Sequence, residues 1–286
     1  MFYEKTVLDN GITVITEHME GVRSAALGFW VRVGGRDESP AEYGMSHFME
    51  HMLFKGTTTR SALDISTAFD ALGAEFNAFT SREYTCFYAR LLDERLALGF
   101  EILADMLVNS TFAHKDILPE CEVVLEEIAR SQDTPDDYVY DVFSDAMFPH
   151  DPLGRPVLGT PDTVSGFDTD EMLRYHDAHY TTGNLAVVAC GNVDHAALVE
   201  RGAGDVLARA LRHEALHGAK HAPGKLAVAG HEVAGGHRVV LGLGHEVGGD
   251  HHGVGRGVRE HADLGGAGHH VDVQTAVGQA FGGGHI

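Results

Sequence analysis

Residues 44 to 57, GMSHFMEHMLFKGT, set two histidines and a glutamate inside an otherwise apolar run. At 100° per residue, Met45, Phe48, Met49, Met52 and Leu53 share one side of a helix, and His47, Glu50 and His51 share the other. Histidines four residues apart are separated by about 6 Å of helical rise and can both turn a ring nitrogen to one Zn²⁺ at about 2.0–2.1 Å. Such an ion lowers the pKa of a water from about 15.7 towards 7. A carboxylate at position 50 can then take the proton and pass it to a leaving amine. The spacing therefore points to hydrolysis. The same pattern also describes a solvated polar face; about 0.03 HxxEH matches are expected by chance over a stretch of this composition, so the motif alone is suggestive and not decisive.

Catalytic zinc sites use three protein ligands plus water, so a third ligand is needed. The segment DILPECEVVLEEIARSQ offers a helix whose buried stripe is Cys121, Val124, Leu125, Ile128 and Ala129. Glu120 and Glu127 lie on one flank of that stripe, and Glu122 and Glu126 on the other. A carboxylate bordering a buried stripe can face a metal held between two helices. Helical geometry alone leaves open which flank points inward.

The elements that must position these groups are legible in the pattern. VLDNGITVIT reads as a hairpin about Asp9, Asn10 and Gly11, and AALGFWVRVGG as a strand ending in glycines. Helices are expected at the HFMEH motif, at SALDISTAFDALG, over residues 93–109 and 116–131, and near 168–179. EFNAFTSREYTCFYARLL alternates as two strands around Thr80 to Glu83, and NLAVVACGNVD reads as a last strand. Strands and helices mix without strict βαβ alternation, so the class is α+β.

The 286 residues suffice for one large or two ordinary domains. A net charge of −21, from 42 acidic and 21 basic residues, lacks the electrostatic footprint of a nucleic-acid or membrane-surface binder. No run reaches the length of a membrane span. Cys86, Cys121 and Cys190 are odd in number and far apart, which argues for a reducing compartment and against a disulfide framework. All three read as small core residues. With no leader-like N-terminus, the expected location is the cytoplasm.

The texture changes near residue 200. From Thr181 to Ala280 there is no Phe, Trp or Tyr, a gap with a chance of about 2 in 10,000 under uniform composition. Residues 1–200 are therefore read as one domain and 201–286 as a Gly/His/Ala/Val-rich tail without confident structure. The favoured explanation is translation out of frame in a GC-rich gene, tested by translating the other frames beyond about codon 200. The competing one is a histidine-rich metal-binding tail, tested by zinc or nickel binding to an isolated peptide of residues 213–286.

Taken in order, GMSHFMEHMLFKGT, LGAEFNAFTSREYTCFYA and VVLEEIARSQDTPDD resemble the insulinase/pitrilysin family of zinc peptidases, in which HxxEH reverses HExxH. The likeness covers roughly residues 1–200 and is nearest to bacterial relatives of the mitochondrial processing peptidase β subunit. It implies a mixed, largely antiparallel sheet with helices on one face. It further implies one Zn²⁺ per chain on His47, His51 and Glu127, the last being 76 residues after His51, with Glu50 as catalytic base and Glu120 assisting. Asn77, Ala78 and Phe79 become an edge strand to which an extended peptide substrate adds; otherwise Phe79 is core and Asn77 a turn residue. Family members close a second, similar domain over the site, contributing an Arg and a Tyr, and no such domain is visible here. A homodimer partner or a separate subunit would have to supply it. Loss of one oxyanion donor typically costs about 100- to 1,000-fold in turnover, so a non-catalytic subunit on the same scaffold is the alternative function.

Overall fold

A computed structural model describes residues 3–203. The readings of the tail beyond residue 203 lie outside the described residues. Within them, six strands form one sheet: β1 (Glu4–Val7), β2 (Thr13–His18), β3 (Ser24–Val31), β4 (Glu75–Thr80), β5 (Thr85–Leu92) and β6 (Leu185–Gly191). Their order is β1-β2-β6-β3-β5-β4, and every pairing is antiparallel except β2 with β6. The last strand thus inserts between the first hairpin and β3. Central β3 and β6 are buried along most of their length, whereas β4 alternates between covered and exposed positions as an edge strand should.

Eight helices are described: α1 (Met45–Leu53), α2 (Ala62–Leu72), α3 (Leu96–Asn109), α4 (His114–Asp133), α5 (Pro135–Met147), α6 (Pro161–Val164), α7 (Thr169–His179) and α8 (His195–Ala203). α1, α2, α3 and α8 pack against the sheet, α4 and α7 pack against α1, and α5 packs against α4. Phe48, Met49 and Met52 of α1, Phe69 of α2 and Val124 of α4 share a core with Phe29 and Phe87 of the sheet. The other face carries a small strand-only cluster of Ile15, Trp30, Cys86, Ala186 and Val188, lined by Tyr84 and Tyr88.

Several expectations need correction. The sequence pattern left residues 135–147 unassigned, yet they form α5, and α8 follows the strand taken as the last element. In α5, Val139, Val142, Phe143 and Met147 recur at helical spacing, yet all are more than half exposed. In α4, Ala129 is exposed and Leu125 only half-buried, which narrows the buried stripe to Cys121, Val124 and Ile128. Cys190 is half-buried at the end of β6 and not a core residue, because its side chain faces Glu17 and Met19.

α1 is held firmly at its start. The buried carboxylate of Glu38 accepts N–H bonds from Gly44 (2.9 Å) and Ser46 (2.7 Å), donors that a helix N-terminus would otherwise leave without partners. Burial pushes the Glu38 carboxyl up to about 7 against the pull of these donors. The Ser46 hydroxyl in turn bonds Tyr175 of α7 at 2.7 Å. Gly44 enters the helix at φ +90°, where an added Cβ would stand 2.7 Å from the Leu158 carbonyl oxygen. Gly44→Ala is expected to cost about 1–3 kcal/mol of stability, read from urea unfolding. A loss under about 0.5 kcal/mol, the range of neutral surface changes, would contradict this.

Candidate active site

α1 turns its Met/Phe side into the core, which leaves His47, Glu50 and His51 on the side facing α4 and β4. α4 packs against α1 and directs Glu120 and Glu127 towards it, while Glu122 and Glu126 are exposed on the outer flank. The Glu127 carboxylate lies 3.5 Å from His51 Nε2 and 3.6 Å from His47 Nε2. The two Nε2 atoms are 3.2 Å apart. Among the described residues, His47, His51 and Glu127 form a group whose ligand atoms all lie within 4.8 Å of one another.

This donor set fits a zinc ion. Ligands about 2.0–2.1 Å from a tetrahedral ion stand about 3.3 Å from each other, close to the separations found here. The Nδ1–H of His51 donates to Glu120 at 2.8 Å, so in the neutral ring it is Nε2 that carries the lone pair facing the other two donors. Burial, and secondarily the neighbouring His51, push His47 down to about 3, so its imidazole is neutral. Among the described residues its buried Nδ1 has no hydrogen-bond partner, so His47 lacks the kind of anchor that Glu120 gives His51.

Glu50 sits beside this group on the same helix. Burial pushes its carboxyl up to about 7, partly offset by a hydrogen bond from Thr80 (2.5 Å) and by His51. A carboxyl titrating near neutrality is suited to acid–base work. Glu120 goes the other way: burial would raise it, but bonds from His51 and Lys55 outweigh that and hold it below the usual carboxylate range. For His51, burial lowers, but the Glu120 bond and the charges of Glu127 and Glu50 win and raise it.

Asn77, Ala78 and Phe79 lie in β4, the open edge of the sheet. Phe79 is exposed and Asn77 is within the strand, so Phe79 is not core and Asn77 is not a turn residue. The Phe79 ring meets Trp30 edge-on at 5.6 Å between centroids. The Ala78 N–H is taken by the Asn77 side-chain oxygen at 2.9 Å. Two further residues at the site were not singled out from the sequence. Thr80 bonds Glu50 from the end of β4, and Lys55 pairs with Glu120. The i, i+4 spacing from His51 to Lys55 was a readable signal for the second.

The profile of the insulinase family (peptidase family M16) matches residues 13–161. An uncharacterised zinc protease of Streptomyces coelicolor is 49% identical over 197 residues, covering 69% of this chain and 43% of the relative. A protease from Helicobacter pylori superposes with a TM-score of 0.67 at 22% identity, over 74% of this chain and 50% of that one. An M16 inactive domain from Pseudomonas fluorescens superposes with a TM-score of 0.67 at 15% identity, over 74% and 51%. At those identities the structural likeness speaks for the fold alone. The chain thus spans about half the length of the relatives it matches, and it belongs to the insulinase family of zinc proteases, peptidase family M16.

Proposed function

We propose that this chain carries the catalytic half of a zinc metalloendopeptidase that hydrolyses extended or unfolded peptides. The observation that carries this reading is the convergence of His47, His51 and Glu127 beside Glu50. In it, His47, His51 and Glu127 hold one zinc ion per chain. A zinc ion held there supplies Lewis acidity, lowering the pKa of water from about 15.7 towards 7. Glu50 takes the proton from the attacking water and delivers it to the leaving amine. Glu120 fixes the tautomer of His51. A peptide adds to the β4 edge along Asn77, Ala78 and Phe79 through main-chain hydrogen bonds, its carbonyl replacing Asn77 Oδ1 at the Ala78 N–H.

Thr80 keeps Glu50 aimed at its work. A hydrogen bond to a charged group contributes about 1.5–3 kcal/mol, so Thr80→Val should lower kcat about 10- to 100-fold with KM little changed, and Thr80→Ser should stay near wild type. Equal loss in both variants would point to packing instead.

Among the described residues no helix is long and apolar enough to cross a membrane. The free thiols support a cytoplasmic location. The relatives are about twice as long, and a second domain would complete the site. That fact, with an inactive domain among the structural neighbours, favours a second reading: a non-catalytic peptide-binding subunit. Incubating the zinc-loaded chain with unstructured fluorogenic peptides separates the two. Cleavage that a chelator abolishes and zinc restores supports the enzyme; binding without cleavage by a zinc-loaded chain supports the subunit.

A further inference from the structure

Lys55 lies just past the C-terminus of α1, one helical turn beyond His51 and on the same side. Its ammonium pairs with Glu120 Oε2, while Glu120 Oε1 accepts the His51 Nδ1–H at 2.8 Å. The Glu120 side chain is 4% exposed and that of Lys55 31%. The carboxylate is thus gripped at both oxygens, by a cation on one and an imidazole on the other. A two-oxygen grip fixes the rotation of the carboxylate, and through it the plane of the His51 ring. The Lys55 charge also stands at the negative end of α1, where a cation is favoured.

We propose that Lys55 is a positioning residue for the metal centre: it locks the Glu120 carboxylate so that His51 Nε2 points at the place where His47 and Glu127 converge. This rests on the zinc reading of that group. Without the ammonium, Glu120 keeps only the imidazole contact and gains a freedom of rotation that His51 shares. The ring then samples orientations that do not bind, and affinity falls by the fraction of time spent in them.

The test is the zinc dissociation constant of the full chain, from competition with a chromophoric chelator. Lys55→Met keeps the stem length and removes the charge. It should bind zinc about 10- to 100-fold more weakly, the usual consequence of losing a group that orients a metal-binding histidine. Lys55→Arg should lie between Lys55→Met and wild type. In a Glu120→Gln background, Lys55→Met should change the constant less than about twofold, because its effect runs through that carboxylate. A role confined to packing would not move the affinity of the folded protein. Unchanged affinity in Lys55→Met, or the same loss with and without Glu120, would overturn the proposal while leaving the zinc site standing. A wild-type chain that binds no zinc would overturn the zinc site itself, and this inference with it.

Discussion

Glu50→Gln should lower peptide cleavage about 100- to 10,000-fold, the range spanned by general acid–base catalysis, while zinc content stays at the wild-type level. The amide is nearly isosteric and can still accept the Thr80 hydroxyl through its oxygen. It cannot accept the proton of the attacking water at neutral pH. Glu50 is not in the group formed by His47, His51 and Glu127, so the substitution spares metal binding. The measurement is kcat on a fluorogenic peptide together with zinc per chain by mass spectrometry. Loss of zinc in Glu50→Gln would make the carboxylate a ligand, and retained activity would remove it from the reaction.

Glu127→Gln should do the opposite and loosen zinc, by more than the roughly 10- to 100-fold typical of groups that only orient ligands. An amide oxygen is a weak, neutral donor, and two imidazoles alone leave a zinc ion short of the three protein ligands found in catalytic sites. Glu126→Gln is the control. Its neighbouring carboxylate is exposed on the outer flank of α4, whereas Glu127 lies within 3.6 Å of both imidazoles. Titration with a competing chelator reads both. Full affinity in Glu127→Gln with loss in Glu126→Gln would reverse the assignment.

The HFMEH helix was legible because its apolar residues recur at helical spacing and every one is buried. The choice between Glu120/Glu127 and Glu122/Glu126 was not, since both pairs border the same stripe symmetrically. What breaks the symmetry is which flank of α4 packs against α1, a tertiary fact that the family resemblance supplied and helical periodicity could not. α5 was legible but went unread: Val139, Val142, Phe143 and Met147 recur at helical spacing behind a Pro-Asp-Asp start, although the structure leaves that stripe exposed. Cys190 was misplaced because a small apolar residue at a strand end gives no sign of facing Glu17. The β4 edge was readable as a strand, but its edge position depends on β6 inserting elsewhere in the sheet.

In the proposed function, one zinc ion sits between α1 and α4. Anomalous diffraction at the zinc edge from zinc-loaded crystals of the chain tests it most directly. The expected result is a single peak within about 2.0–2.2 Å of His47 Nε2, His51 Nε2 and a Glu127 carboxylate oxygen. A peak coordinated instead by Glu126 or Glu120, or no peak at the two histidines, would contradict it.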